Sequence, residues 1–341
     1  MPFDAAIDEL LNRACPSIRY RLRAEILNQP RGSAEMHRLQ AEILGDGVVK
    51  EVAGWQQPDG WLAWNFHGSM STECGIRLLC EKGMERDQPL LSRALHALAG
   101  ADPIRLTRGI GRVGGLLDDL GLGGSQMIRA AVLAYSGVEN LPGVQAQIER
   151  ALAGFAAVLD VHSEADLFDV YRGKRVIRPG VAWPSLYHLR LLAYTRAWRT
   201  PHRLDGLVQS VQRLVELSPV PEYNARHGSQ LIAPASFCMH DFRPVLAELD
   251  AAGWMMEFQR LELLARLGVV SRVAALQNQV AALEEILEAG DGLFRLKLNH
   301  AYFKQWGAYT GLMLESDWRE AQRRMYDLTF RSLLILHYAR S

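Results

Sequence analysis

The sequence predicts an all-α fold, a single domain over residues 1–341 built as an (α/α)6 toroid of six inner and six outer helices. The first observation behind this prediction is a repeat, in which an apolar residue and usually an arginine precede a mostly apolar stretch. Its six copies are Leu22-Arg23, Ile76-Arg77, Ile128-Arg129, Leu189-Arg190, Leu261-Glu262 and Phe330-Arg331. The second observation is an amphipathic pattern between the copies, and the third is an alternation of short and long connections.

The repeat copies are the more apolar segments, so we assign them to inner helices that begin near residues 17, 72, 125, 184, 254 and 318. Between them, apolar residues at three- and four-residue steps, such as Leu39 with Ile43 and Val144 with Ile148, indicate outer helices with one polar face. Six inner helices need six outer partners, but only five outer patterns lie between the copies. We therefore expect the N-terminal helix, roughly residues 3–14, to pack beside the C-terminal helix and close the ring.

The connections predict which face of the toroid is functional. Inner-to-outer connections are short, whereas the outer-to-inner connections are long and carry many Trp, Tyr, Arg, His and Asp residues. These five long connections span about residues 55–70, 101–124, 161–183, 219–253 and 289–317. In a compact domain, loops longer than about 12–15 residues are usually functional or disordered, and this composition is not that of a disordered segment. We expect all five loops at one end of the toroid, over the N-termini of the inner helices.

Composition excludes several classes of protein. The 38 basic and 38 acidic residues give a net charge of zero, which argues against a nucleic-acid-binding protein and against binding to anionic membranes. No apolar run approaches the roughly 20 residues that a membrane span needs, and the N-terminus lacks the pattern of a signal peptide. The four cysteines form no CxxC pair and no disulfide-like framework. We expect a cytoplasmic protein that binds a small molecule, with a homo-oligomer left open.

The segment 48–61, VVKEVAGWQQPDGW, resembles the QW-type repeat of the terpenoid cyclase and protein prenyltransferase superfamily, and AGDGLF at 289–294 is a weaker copy. The resemblance implies an α-α toroid, in agreement with the repeat. Two departures leave the reaction open. The acidic DxDD-type motif with which squalene-type cyclases protonate their substrate is absent, and the nearest acidic pair is Asp118-Asp119. Protein prenyltransferases bind zinc through Asp, Cys and His, and here Cys238, His240 and Asp241 stand in a different order.

Five residues are candidate catalytic groups. His67, in Phe-His-Gly-Ser before an inner helix, is predicted to lie at the mouth of the toroid, where an imidazole can act as a general acid or base. His240 and Asp241 are a candidate acid/base pair, and their spacing with Cys238 is too close for a tetrahedral metal site, so we predict no bound metal. Asp118 and Asp119 lie among glycines and are either buried acids or turn residues.

Eight residues are candidate substrate-binding groups. The aromatic and histidine members are predicted to enclose the substrate, although Trp61 is also expected to staple outer helices together. The two arginines belong to the basic segment 171–180, which we expect to hold an anion unless it is an exposed loop paired with Glu164, Asp166 and Asp169. The eight are Trp61, Trp64, Arg172, Arg175, Tyr187, His188, Trp306 and Tyr309.

These residues predict an enzyme, a lyase or isomerase in preference to a transferase or glycosidase. It would hold a small, partly apolar substrate in the central cavity and act on it by acid/base chemistry without a cofactor. The substrate is expected to be isoprenoid-like, with an anionic end, and the reaction to be of the cyclase or lyase type. The alternatives are a carbohydrate-active hydrolase or lyase of the (α/α)6 type, in which paired carboxylates perform the chemistry, and a non-catalytic binding module.

Overall fold

A computed structural model of the chain describes residues 3–341. Its regular structure is helical apart from two short β-hairpins in the described residues, so the prediction of an all-α chain is confirmed in its main point. The chain divides into two compact units: one comprises Met1–Gly100, Leu246–Phe258 and Val280–Ser341, and the other comprises Ala101–Val245 and Gln259–Gln279. We call these unit 1 and unit 2. The arrangement of the helices as a closed toroid stays a prediction.

Within the described residues, unit 1 contains eight complete α-helices. They are α1 (Asp4–Arg13), α2 (Pro16–Arg21), α3 (Ala34–Leu44), α4 (Gly47–Gly54), α5 (Thr72–Glu81), α6 (Pro89–Ala99), α15 (Ala301–Lys304) and α16 (Ala321–Ala339). A π-helical turn, Leu22–Ile26, continues α2. As predicted, the N-terminal helix packs on the C-terminal one, and the hydroxyl of Tyr326 donates a hydrogen bond of 2.8 Å to Glu9.

Unit 2 contains six complete α-helices and both hairpins. The helices are α7 (Val113–Asp119), α8 (Ser125–Tyr135), α9 (Pro142–Ala156), α10 (Glu164–Leu167), α11 (Leu186–Ala193) and α12 (Pro201–Leu217). The strands are β1 (Phe168–Tyr171), β2 (Lys174–Ile177), β3 (Ala225–His227) and β4 (Gln230–Ile232), paired β1 with β2 and β3 with β4, both antiparallel. Two further helices, α13 (Ala251–Leu267) and α14 (Ala274–Glu288), contribute residues to both units.

The six predicted inner helices correspond to α2, α5, α8, α11, α13 and α16, which begin within three residues of the expected positions, at Pro16, Thr72, Ser125, Leu186, Ala251 and Ala321. Local capping explains some of these starts. The Ser71 side chain accepts a hydrogen bond of 3.1 Å from the backbone N–H of Cys74, which satisfies one of the donors left open at the start of α5. Proline at the first helical position of α2 has no N–H to leave unsatisfied.

The basic segment 171–180, expected as a loop, begins inside a β-hairpin. Arg172 and Gly173 form its two-residue turn, with φ values of 50° and 71°. Two positive φ values are the signature of the turn that matches the twist of an antiparallel hairpin. The second hairpin lies alongside, because the N–H of Ile177 donates to the carbonyl oxygen of Asn224 at 2.8 Å. Among residues 3–341, no helix is long and apolar enough to cross a membrane.

Candidate functional site

The start of α5 holds His67 against a buried carboxylate. Ser71 caps the helix, and this places Glu73 in the first turn, where the helix dipole favours a negative charge. The imidazole Nδ1 of His67 lies 2.6 Å from Oε2 of Glu73, and the side chains of His67 and Glu73 are 13% and 1% exposed. An ionised carboxylate only accepts hydrogen bonds, so Nδ1 carries the donated proton and Nε2 is the basic atom of the neutral ring.

The loop segment 306–311 packs against this pair. The ring of Tyr309 meets the His67 imidazole edge-on, with the ring centroids 5.9 Å apart. One turn beyond Glu73 on α5, the guanidinium of Arg77 lies over the Trp306 ring, 4.9 Å from its centroid. Arg77 also donates hydrogen bonds to three carbonyl oxygens of the same connection, those of Gly307, Thr310 and Gly311. The segment 306–311 is thereby anchored to α5. We call His67, Glu73, Arg77, Trp306 and Tyr309 the His67 cluster.

The structure thus brings together three residues that the sequence predicted separately, His67, Trp306 and Tyr309. The sequence interpretation missed Glu73 and Arg77. Both carried a signal: Arg77 is the arginine of the second repeat copy, and Glu73 follows the helix-capping Ser71 by two residues. Neither signal indicated which residues Glu73 and Arg77 contact. The residues that Arg77 contacts lie more than 200 positions away along the chain.

A cavity of about 500 Å³ elsewhere in unit 1 contains a carboxyl group with an altered pKa. Glu315, only 2% exposed, lines this cavity and accepts a hydrogen bond of 2.7 Å from the backbone N–H of Cys15. Burial and the negative charge of Asp327 raise the pKa of Glu315 to about 7, since both disfavour a second negative charge. Asp327 itself accepts from the indole N–H of Trp318 at 2.6 Å. Glu315 is therefore able to hold or release a proton near neutral pH.

In unit 2, the hairpin of β1 and β2 and residues that flank the second hairpin border a cavity of about 760 Å³. Arg175 and His240, two of the predicted site residues, both line it. Arg175 is paired with Glu164 at 2.7 Å, and both side chains are about half exposed. Charged groups of both signs line the cavity: Lys174 and Arg175 are positive, whereas Glu164 and Glu222 are negative. The lining has no excess of positive charge.

His240 is held by two hydrogen bonds. Its Nδ1 lies 3.2 Å from the carbonyl oxygen of Val220, and its Nε2 lies 3.1 Å from Oγ of Ser236. Asp241, the partner expected from the sequence, accepts a hydrogen bond of 3.0 Å from the backbone N–H of Arg243. Within residues 3–341, no group of three or more His, Cys, Asp or Glu side chains is arranged to hold a metal ion.

Several other predicted site residues make contacts typical of residues that stabilise the fold. Asp118 accepts a hydrogen bond of 2.8 Å from the N–H of Gln126 at the start of α8, and burial raises its pKa, whereas Asp119 is exposed. His188 is 1% exposed and caps α11 together with Ser185. Tyr187 is fully buried.

The remaining predicted residues differ in exposure. Trp61 is 4% exposed and packs edge-on against Phe66, with the ring centroids 6.4 Å apart. Trp64, by contrast, is 61% exposed. Arg172 lies at the hairpin turn, over the ring of Tyr171.

No protein-family model, curated protein sequence or solved structure matches the chain. The basis for a function is therefore the chemistry of the described side chains.

Proposed function

We propose that the protein is an enzyme that performs acid/base chemistry on a small, partly apolar substrate, by a reaction of the cyclase or lyase type, with His67 as the proton-transferring group. The observation that carries the proposal is the hydrogen bond of 2.6 Å between His67 and the buried carboxylate of Glu73. A histidine oriented by a carboxylate is the arrangement in which one ring nitrogen is held and the other exchanges protons.

The proton transfer follows from the geometry of the pair. Neutral His67 takes a proton from the substrate at Nε2, and the resulting imidazolium is stabilised by the negative charge of Glu73 at Nδ1. The low exposure of the Glu73 side chain, 1%, strengthens this attraction because little water screens it. In an elimination, the electrons of the broken C–H bond form the double bond, the bond from carbon to the leaving group breaks, and the imidazolium gives its proton to that leaving group. In a cyclisation, the same electrons form the new ring bond, and the imidazolium gives its proton to the substrate atom that gains negative charge. A positioned general acid or base contributes about 100- to 10,000-fold to a rate.

The surroundings of His67 support a partly apolar substrate. Trp64 and Met70, on the same connection, are 61% and 58% exposed, and the ring of Tyr309 lies against the imidazole. These two side chains, three residues to either side of His67 in the sequence, supply exposed apolar surface for such a substrate. Arg172 and Arg175 belong to unit 2, and we assign them no role in this reaction.

A second candidate function is supported by the Glu315 cavity. A carboxyl group with a pKa near 7 is the proton donor that glycoside hydrolysis requires, and Asp46 supplies a second carboxylate to the lining of the same cavity. A carbohydrate-active hydrolase or lyase is therefore the alternative, with Glu315 as its acid.

The experiment that tests the proposal is an exchange assay in deuterium oxide. The purified protein is incubated with a set of small isoprenoid alcohols and aldehydes, and deuterium incorporation and new products are followed by mass spectrometry. We expect His67→Ala to lower the rate by about 100-fold or more, because the proton-transferring group is removed. Glu73→Gln should cause a smaller loss, because it keeps a hydrogen-bond acceptor but removes the charge. His96→Ala, which removes an exposed histidine of α6, is the matched control and should behave like the wild type.

Two outcomes would contradict the proposal. One is exchange that continues unchanged in His67→Ala. The other is hydrolysis of p-nitrophenyl glycosides that is lost in Glu315→Gln but retained in His67→Ala, which would favour the carbohydrate-active alternative. Thermal unfolding of each variant distinguishes a lost proton donor from a lost fold.

A further inference from the structure

The hydrogen bonds of His240 determine where its proton lies. The Val220 carbonyl oxygen, 3.2 Å from Nδ1, can only accept, so Nδ1 must carry the donated hydrogen. In the neutral ring Nε2 then has a lone pair, and Ser236 Oγ, 3.1 Å away, donates its hydroxyl hydrogen to it. The result is a serine hydroxyl directed at a basic nitrogen, while the other ring nitrogen is held by a third group. This is the general arrangement of an activated nucleophile.

The backbone holds both residues in this arrangement. The N–H of Val220 donates to the carbonyl oxygen of His240 at 2.6 Å, so residues 220 and 240 are joined through the main chain as well as through the imidazole. Cys238, between the serine and the histidine, has a φ of 59°, a conformation that non-glycine residues adopt rarely. Its carbonyl oxygen accepts a hydrogen bond of 3.1 Å from buried Arg260. An unfavourable backbone conformation held by the surrounding structure is a feature that clusters at functional sites.

Both side chains have access to a ligand. Ser236 and His240 line the cavity of about 760 Å³ beside the two hairpins, and both are partly exposed. The nearby thiol is a poor competitor for the same role, because Cys238 is 2% exposed and burial raises its pKa to about 11. Only the thiolate of a cysteine is a strong nucleophile. Ser236 is thus the nucleophile that the cavity presents.

We propose that Ser236 and His240 form an acyl-transfer site that cleaves small carboxylic esters. Ser236 Oγ attacks the ester carbonyl carbon while its proton passes to Nε2 of His240. The tetrahedral intermediate collapses, the bond between the carbonyl carbon and the alkoxy oxygen breaks, and the imidazolium returns the proton to the departing alcohol. Water then attacks the acyl-serine, with His240 again accepting and returning a proton, and a carboxylic acid leaves with Ser236 regenerated. No oxidant, metal or further reactant is needed.

The lining indicates the class of ester. Lys174 and Arg175 are balanced by Glu164 and Glu222, so the cavity does not select for an anion or a cation by net charge. Its volume of about 760 Å³ is that of a small-molecule site. The substrate class that fits is a small ester without net charge, whose polar groups can pair with charged side chains of both signs. This site lies in unit 2 and does not depend on the His67 chemistry.

The test uses a fluorophosphonate, which phosphonylates activated serines with loss of fluoride, on the full-length protein. We expect one phosphonyl group per chain, located at Ser236 by peptide mass spectrometry, and none in Ser236→Ala. His240→Gln should slow the labelling by about 100-fold, because the general base is lost. p-Nitrophenyl acetate should be hydrolysed by the wild type, and this activity should be lost in both variants.

The chain contains its own matched control. Ser185 Oγ also lies 2.7 Å from a histidine nitrogen, Nδ1 of His188, but Ser185 is 2% exposed. Ser185 should therefore stay unlabelled as long as the protein is folded. His227→Gln, which removes an exposed histidine of β3, should be labelled at the wild-type rate. Absence of labelling at Ser236, or a His240→Gln variant that is labelled as fast as the wild type and melts at the same temperature, would overturn the proposal.

Discussion

Unit 2 contains two serine–histidine pairs with similar hydrogen bonds and very different surroundings. In one, Ser185 and His188 are 2% and 1% exposed and lie at the start of α11. In the other, Ser236 and His240 are partly exposed and line a cavity. The hydroxyl-to-nitrogen distances are 2.7 Å and 3.1 Å. The pairs show that a hydrogen bond between a serine and a histidine has no functional meaning by itself. Burial makes one pair a structural cap, and access makes the other a candidate nucleophile.

The buried pair, Ser185 and His188, is held by hydrogen bonds and by tight packing. His188 Nδ1 lies 3.0 Å from the backbone N–H of Ser185, so the imidazole accepts a bond that would otherwise be unsatisfied at the helix start. A methyl group added at Gly123, where φ is 83°, would lie 2.1 Å from Oγ of Ser185, which is too close for any contact. Gly154 also packs against the ring, since a methyl group added there would be in van der Waals contact with Cδ2 of His188. These neighbours enclose the buried pair.

The largest expected effect is on stability. His188→Ala should lower the free energy of unfolding by about 2–4 kcal/mol, because it leaves a cavity and deprives buried donors of their acceptor. His240→Ala should change it by less than about 1 kcal/mol, since the ring lies at a partly exposed cavity wall. Urea unfolding of the two variants measures the difference. Equal losses would mean that His240 is as much a part of the core as His188, which would contradict the difference in burial between the two pairs.

The second prediction concerns the pH dependence of stability that comes from His188. Burial lowers the pKa of His188 to about 4, whereas an unfolded histidine has a pKa near 6.5. The stability that neutral His188 contributes is therefore fully present above pH 6.5 and is lost as the pH falls from 6.5 to 4, by about 3 kcal/mol in total. Urea unfolding between pH 4 and 7 should show this loss in the wild type and a shallower one in His188→Gln. Parallel curves for the two proteins would show that His188 binds a proton as readily in the native state as in the unfolded state.

In unit 1, Glu315 is expected to make a smaller contribution to the pH dependence of stability, and stability should fall as the pH rises. The pKa of Glu315 is raised from 4.5 to about 7, by burial first and then by Asp327, so its protonated form is favoured in the native state. The stability contributed by protonated Glu315 is fully present below pH 4.5 and is lost as the pH rises from 4.5 to 7. The effect should be smaller than that of His188, because Glu315 lines a cavity and Arg323 lies 3.4 Å away. Glu315→Gln should remove this decline, and a decline that persists in the variant would assign it to another group.

Helix starts were the most predictable feature of the chain, since they depend on residues adjacent in sequence. The helix predicted near residue 72 begins at Thr72, where Ser71 supplies the cap. The sequence did not predict the hairpin formed by β1 and β2, because its turn, Arg172-Gly173, lacks the Asn or Asp that usually precedes glycine in such a turn. Two of its expected ion pairs are present, Arg175 with Glu164 and Arg178 with Asp169. Both pairs join partly exposed side chains, and Arg175 also lines the cavity of unit 2.

Sequence alone determined that the chain is largely helical, where six of its helices begin, and that His67 and His240 are candidates for acid/base chemistry, because periodicity, caps and residue chemistry are local properties. Tertiary structure alone decided the partners of these histidines. Ser236 gains its role from Val220, which orients the ring of His240 from 20 residues away. Arg77 anchors Trp306 from more than 200 residues away. His188 and His240 are the same residue type beside a serine, and only packing determined that one is sealed in the core and the other faces a cavity.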